Sequence, residues 1–525
     1  MNTKFDFTNL FVLDLANNHQ GSVEHGLAVI KQHAQVANTY GIRAALKFQF
    51  RQLDSFIHPE FKDASDVKHV SRFMSTKLGR EEYQVLFDAA KSAGLMTICT
   101  PFDEESVDII KDMGFNLIKV ASCSAQDWPL LEKIATSNLP IIFSTGSLLI
   151  EDIDRFVSFA EHRGLDFAIM HCVSIYPTPS ELCNLQNIAM LKQRYPNVEI
   201  GWSTHEDPDD CNAVKVAYAL GGRMFERHVG VSTETVKLNA YSSTPAQAGN
   251  WYDAWQEAVK LCGSFERLPP EPQESKAILE LQRGVFLKHP MKADQEITED
   301  DVFFAMPCQP GQLTSGNFIN GILLKETIEA NDPVMDDQIS LPRNKLSQEL
   351  AHYIHKVKAM LNIAKIDLGV QFDVEYSHHY GIERFGEVGC VLIDCINREY
   401  CKKLLVQLPK QSHPHHFHKL KEETFQVLHG TMFLEIDGRV RHMYPGDIQT
   451  VMPGTWHRFW TETGCIVEEV STTHFQNDSV YKDPAINEMS KQQRKTVVKH
   501  WGRFHISRQL GEDGLAAEQQ GELSS

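Results

Sequence analysis

The first half of the chain alternates a short apolar run with a longer amphipathic segment eight times over, and few folds accommodate that pattern. The runs are FVLDL (11–15), AALKFQF (44–50), MTIC (96–99), LIKVAS (117–122), IIFST (141–145), FAIMHC (167–172), VEIGWS (198–203) and MFERHV (224–229). Eight strands, each followed by a helix, predict a (β/α)8 TIM barrel, an α/β fold whose sites gather at the carboxyl ends of its strands. Polar residues fall at those ends. Asp14, Asn18 and His19 follow the first strand, Lys47 and Gln49 lie in the second, and Thr100 follows the third. Lys119 and Ser122 close the fourth, Ser144 and Thr145 the fifth, and Tyr176 follows the sixth. Any one of these alone is a turn or capping residue; the whole set on one face is not explained that way.

The stretch Gly201–Gly230 concentrates the chemistry: a strand, a loop with Ser203 and His205, a helix, then a strand ending at His228. Consecutive parallel strands present their carboxyl ends on one side, which brings both imidazoles to one mouth, where they could share a divalent metal. Lys47 and Lys119 stand inside otherwise apolar strands, a costly place for a charge without an anionic partner. With Thr100, Ser122, Ser144 and Ser203 they make a phosphate cradle; a structural salt bridge is the competing reading for either lysine.

Length and charge narrow the rest. At 525 residues the chain needs roughly three domains. A net charge of -18 argues against nucleic acid or an anionic membrane as partner. No apolar run approaches a membrane span, and the start leads directly into a strand without a signal peptide. Eleven scattered cysteines without a CxxC pair suit reduced thiols, so a cytoplasmic location is expected.

The motifs NNHQGS, LKFQF, TPFDEESVD, IKVAS, STGS, HCVSIYPTP, GWSTH and FERH, in this order, resemble the sialic acid synthase family. The resemblance implies an enzyme that condenses phosphoenolpyruvate with an open-chain sugar, expelling phosphate to give a nonulosonic acid. It implies that His205 and His228 hold Mn2+ or Mg2+ and that Lys47, Thr100, Lys119, Ser122, Ser144 and Ser203 take phosphoenolpyruvate. Gln49 and Tyr176 would bind the acceptor, Asn18 would also bind substrate, and Asp14 would orient or deprotonate the attacking water. Four positions depart from the family pattern: Asp14 for glutamate, Ser124 for an acidic residue, Ser174 for asparagine, and Asn239 for aspartate.

Beyond the barrel (1–267), LPPEPQES (268–275) reads as a linker, and residues 276–343 resemble the small antifreeze-like (SAF) domain of the same enzymes. Within it ADQEITEDDV and EANDPVMDDQI echo one another. The resemblance implies a homodimer in which this cap swaps over the partner's barrel and donates an arginine, but AMPCQPGQ offers Met306 instead. A connecting helix is expected over 344–366, and a strand-rich domain over 367–482 carries the signature of an all-β cupin (jelly roll). His416, His418, Glu423 and Gly430 form its first half, and Gly446, Pro453, Gly454 and His457 its second. Alternate residues of a strand share a face, so His416 and His418, with Glu423 and His457, are suited to a second divalent metal: iron, manganese, zinc or nickel. His415 competes for the first position. VEYSHHYGIERFG and CKKLLVQLPKQ resemble cupins of the sugar-isomerase type. Two alternatives therefore stand beside the synthase: a cupin isomerase with the barrel as scaffold, or a sugar-sensing cupin that regulates the barrel. The tail from 483 is expected to be disordered.

Overall fold

Each of the eight runs is a strand: β1 (Leu10–Asp14), β2 (Ala44–Phe50), β3 (Met96–Pro101), β4 (Leu117–Val120), β5 (Ile141–Ser144), β6 (Phe167–Cys172), β7 (Ile200–Thr204) and β8 (Met224–His228). All pair in parallel and in sequence order, and β8 returns to β1 to close the barrel. The computed structural model describes residues 4–62, 67–265, 267–341, 346–369, 372–473, 475 and 478–499. The chain divides into two compact units, Met1–Leu268 and Pro269–Ser525.

Period-two alternation builds the barrel in layers. Val12, Ala45, Ile98, Leu117, Ile142, Met170 and Met224 point inward as one buried apolar cluster, while their neighbours Phe11, Leu46, Cys99, Ile118 and Phe143 pack outward under the helices. Two residues along each strand, on the same inward face, come Asp14, Lys47, Thr100, Lys119, Ser144, Cys172 and Glu226. The polar layer thus rests on an apolar floor. Gly201 belongs to that floor: a Cβ there would lie 2.7 Å from the Met224 Cβ and from its carbonyl oxygen, so only glycine lets β7 and β8 pair so closely. Helices begin where a side chain can take a free N–H, at Ser22, Asp103, Asp127 and Thr244.

In the second unit the Pro-rich stretch read as a linker opens a helix, Pro272–Leu281, because a proline in the first turn gives up no helical hydrogen bond. Five short strands follow: β9 (Gly284–Leu287), β10 (Glu296–Ile297), β11 (Val302–Ala305), β12 (Ile322–Leu324) and β13 (Ile339–Ser340). The sequence echo is structural. Asp294 and Asn331 both adopt positive φ, and each is followed by a short 3-10 turn, Glu299–Asp301 and Asp336–Gln338, leading into a strand.

After a helix over Leu346–Ile363 come β14 (Asp373–Ser377), β15 (Cys390–Asn397), β16 (Tyr400–Gln407), β17 (His416–His418), β18 (Glu423–Gly430) and β19 (Met432–Ile436). These are followed by β20 (Arg439–Met443), β21 (Ile448–Val451), β22 (His457–Trp460), β23 (Cys465–Thr472), β24 (Ser479–Tyr481) and β25 (Lys495–Lys499). They make a seven-stranded sheet, β21-β18-β23-β16-β15-β14-β25, and a five-stranded one, β20-β19-β22-β17-β24. Side chains from both sheets, among them Leu405, Phe425, Leu434 and Phe459, share one core. The expectation of a disordered tail is corrected in part: Lys495–Lys499 is an edge strand on β14, where TVV supplies β-branched residues suited to a sheet. The rest of that tail, from 500, lies outside the described residues. Among the described residues no helix is long and apolar enough to cross a membrane.

Candidate active site and candidate metal centre

Strand register assembles the barrel site. β1 lies between β2 and β8, and Asp14 stands opposite Lys47 on one side and His228 on the other. Lys47 Nζ is 2.9 Å from Asp14 Oδ2 and 2.9 Å from Glu226 Oε1. Lys119 Nζ is 2.8 Å from Glu226 Oε2, and the Ser203 hydroxyl donates to Glu226 Oε1 at 3.0 Å. None of these side chains is more than 7% exposed. Two ammonium groups and two carboxylates therefore balance within a layer closed from below by apolar side chains. Burial works against the Lys47 ammonium, but Asp14 and Glu226 together raise its pKa. At Lys119 burial prevails over the attraction of Glu226, and its pKa is lowered. Burial alone would raise the Glu226 pKa; the two lysines instead hold it well below the carboxylate range.

His205 and His228 meet above this layer, ring centroids 5.4 Å apart. His205 Nδ1 lies 2.9 Å from the Val173 carbonyl oxygen, which can only accept, so the proton sits on Nδ1 and Nε2 keeps its lone pair. His228 Nε2 is 3.4 Å from Asp14 Oδ2. Burial, then the neighbouring His228, pushes the His205 pKa down to about 3, and burial lowers that of His228. Both imidazoles are neutral near pH 7. Neutral nitrogens beside a buried carboxylate fit a divalent cation. Tyr176 packs on His205 with centroids 4.1 Å apart, and Tyr241 on His228 at 5.2 Å.

The remaining expected residues divide. The Thr100 hydroxyl is buried without a hydrogen-bond partner, as a group waiting for a ligand would be. The Gly146 N–H donates to Ser122 Oγ at 3.0 Å, and a Cβ at Gly146 would lie 2.4 Å from Ser174 Oγ and 2.6 Å from Ser122 Oγ. Glycine therefore keeps those two hydroxyls close to the backbone beside Ser144. Gln49 Nε2 faces Asp14 at 3.4 Å and Tyr176 is half exposed. Asn18 is drawn elsewhere: its Nδ2 donates to Val229 O at 2.8 Å and to Ser242 Oγ at 3.0 Å, so its amide ties the first loop to the eighth. Asn239 Nδ2 reaches Asn18 Oδ1 at 3.5 Å, and Ser124 is buried.

Two residues escaped the sequence reading. Glu226 was legible as the anion that buried Lys47 and Lys119 require, two positions before His228 and so on its face of the strand. Tyr241 lies in a loop, where periodicity carries no signal.

The second constellation is in the cupin. His416 stands opposite His457 across β17 and β22, and one ligand atom from each of His416, His418, Glu423 and His457 falls within 4.8 Å of the others. His416 Nδ1 and His457 Nδ1 each lie 3.0 Å from a backbone carbonyl, of Pro414 and Thr455, which leaves both Nε2 atoms for the lumen. His457 Nε2 is 2.8 Å from Glu423 Oε1, yet both atoms are buried and neither makes a hydrogen bond. That juxtaposition fits a cation between them. Burial pushes the His418 pKa down to about 3 and that of His416 well below its usual value, so both are neutral ligands. His415, the alternative first ligand, is instead bound to Glu435 at 3.1 Å. Sequence reasoning missed Lys421, which bridges Glu423 and Glu469 at 2.5 and 2.8 Å from the buried end of the site.

Compared with known proteins, residues 34–266 match the NeuB family and residues 404–468 match the cupin domain. A candidate spore coat polysaccharide biosynthesis protein E from Chromobacterium violaceum, of known crystal structure, is 43% identical with a TM-score of 0.62, over 63% of this chain and 100% of that one. N-acetylneuraminate-9-phosphate synthase of Drosophila melanogaster is 28% identical over 364 residues, 62% of this chain and 95% of the relative. Pseudaminic acid synthase of Campylobacter jejuni is 30% identical over 226 residues, 41% of this chain and 64% of the relative. Matched along the whole of a relative at 43% identity, the chain belongs to the NeuB family and carries a cupin domain beyond its barrel.

Proposed function

We propose that the barrel is a phosphoenolpyruvate-dependent nonulosonic acid synthase. The observation that carries this reading is the buried layer in which Lys47, Lys119 and the Thr100, Ser144 and Ser203 hydroxyls surround one lumen below two neutral imidazoles, with half-buried Ser122 in the turn after β4. In the reaction, C3 of phosphoenolpyruvate attacks the aldehyde carbon of an open-chain sugar, water adds at C2, and the tetrahedral intermediate expels inorganic phosphate. Lys47 and Lys119 offset the charge of the phosphate, and the unpartnered Thr100 hydroxyl supplies a free donor. Asp14, fixed by Lys47 and the Ala16 N–H, would orient or deprotonate the water. Gln49 and Tyr176 line the acceptor side. His205 and His228 would hold Mn2+ or Mg2+, whose chemistry is to polarise the aldehyde oxygen. The names of the Drosophila and Campylobacter relatives support the same class of product.

The test is release of inorganic phosphate from phosphoenolpyruvate with a panel of C5, C6 and 2-amino sugars and Mn2+. No release with any sugar sinks the reading. For the cupin, the convergence of four ligand atoms favours a second metal centre at His416, His418, Glu423 and His457. Interconversion of sugar isomers without phosphoenolpyruvate would make that centre the catalytic one.

A further inference from the structure

Glu226 has no part in the reaction written above, yet it is the hub of the barrel lumen. Lys47 reaches it from β2, Lys119 from β4 and Ser203 from β7, and its own strand places it one layer below His228. Strands β2 and β4 are not neighbours, since β3 lies between them, so two ammonium groups converging there would repel one another across an apolar-floored lumen. Each carboxylate oxygen of Glu226 accepts one of them. An ammonium carries three N–H donors. Lys47 spends two, on Asp14 and Glu226, and Lys119 spends one on Glu226, which leaves both with donors for a further anion.

We infer that Glu226 is a positioning residue of the barrel site: its carboxylate, oriented by the Ser203 hydroxyl, aims Lys47 and Lys119 so that they grip the phosphate of an enol phosphate together. This rests on the reading of the barrel as a phosphoenolpyruvate site. The two lysines depend on Glu226 unequally. Lys47 keeps Asp14 if Glu226 is neutralised, whereas Glu226 is the one carboxylate within ion-pair reach of Lys119 among the described residues. The other titratable groups that bear on Lys119 are Lys47 and Cys172. Burial already lowers the Lys119 pKa with Glu226 in place, so loss of that carboxylate lowers it further. The opposite role is a competing counter-ion, whose removal would free positive charge and tighten anion binding.

The experiment compares the full-length chain with E226Q and E226D. Phosphoenolpyruvate and inorganic phosphate binding are followed by calorimetry from about pH 6.5 to 8.5, where a neutralised lysine would register. Steady-state phosphate release and thermal melts accompany them. The KM for phosphoenolpyruvate should rise at least about tenfold in E226Q while that for the sugar stays within about twofold. The ratio of E226Q to wild-type affinity should fall further as pH rises, and E226D should recover part of the loss. Equal or tighter binding in E226Q at every pH overturns the proposal. If E226Q does not fold, E226D carries the same readouts, and wild-type behaviour in it overturns the proposal. Wild-type turnover of phosphoenolpyruvate beside an unaffected variant removes only the positioning role. A wild-type chain that binds neither phosphoenolpyruvate nor phosphate brings down the barrel reading and this one with it.

Discussion

The barrel and the cupin solve the same problem with opposite charge. In the barrel lumen two lysines face two carboxylates, so the constellation is balanced before anything binds. In the cupin Lys421 bridges Glu423 and Glu469, beside imidazoles that burial keeps neutral. Its ligand atoms converge on a single point. The barrel offers only two imidazoles and a carboxylate already engaged by a lysine. On the reading proposed above, the cupin is built around a cation and the barrel around an anion, with any metal held at its rim.

Removing the ligands should break this comparison most sharply. His205→Ala or His228→Ala is expected to cost at least about 100-fold in turnover, the scale of losing stabilisation of a developing oxyanion. EDTA should abolish phosphate release and Mn2+ or Mg2+ restore it; full activity in either variant would remove the rim metal from the barrel. Glu423→Ala should instead lower bound metal, read by elemental analysis, while leaving phosphate release largely intact. If it silences the barrel, the two sites are coupled and the cupin delivers or gates the sugar.

Lys119→Ala sharpens the anion side. The KM for phosphoenolpyruvate should rise far more than that for the sugar, whereas an equal loss for both would return Lys119 to a purely structural ion pair.

A smaller effect is expected at the acceptor. Ser124 and Asn239 stand where the family resemblance implies acids, and Met306 where it implies an arginine. A missing charged donor costs roughly 1.5–3 kcal/mol, about ten- to a hundredfold in affinity. N-acetylmannosamine should therefore be outperformed by a deoxy, differently acylated or non-aminated sugar in kcat/KM. Should it win by about tenfold or more, the specificity argument fails and the condensation survives.

Acid should act on the cupin through its buried imidazoles. In the metal-free cupin, His418 and His379 have pKa values pushed to about 3 by burial. Unfolded, they would titrate near 6.5, so the unfolded state binds more protons between these values and stability falls as pH drops below about 6.5. Melts of the metal-free chain from pH 7.5 to 5 should show the loss, of order 1 kcal/mol or more. A metal-free cupin as stable at pH 5 as at pH 7 would contradict the neutral-imidazole account.

The barrel was legible because period-two strands and helical segments repeat, and even the polar layer was, since inward positions follow from alternation. The ends were less so: LIKVAS stops as a strand at Val120, where the backbone turns to bring Ser122 toward Gly146. Asn18 and Glu226 show the limit at the site. The two buried lysines called for an anion, but only the closed ring of strands brings Glu226 to both of them and Asn18 to the eighth loop. In the cupin the HxH spacing located the ligands, while Lys421 and Glu469 meet across strands far apart in sequence, beyond the reach of local pattern.

The last described strand has a consequence for how the chain is made. β14 has β15 on one edge, but its other edge pairs with β25, which begins only at Lys495. At ribosomal rates of 5–20 residues per second, that edge of the nascent chain stays bare for on the order of ten seconds after β14 emerges. In the barrel one edge of β1 waits in the same way for β8, which ends at His228. A stalled or truncated product ending before Lys495 thus exposes an open row of N–H and C=O groups, and its expected fate is intermolecular strand pairing and clearance.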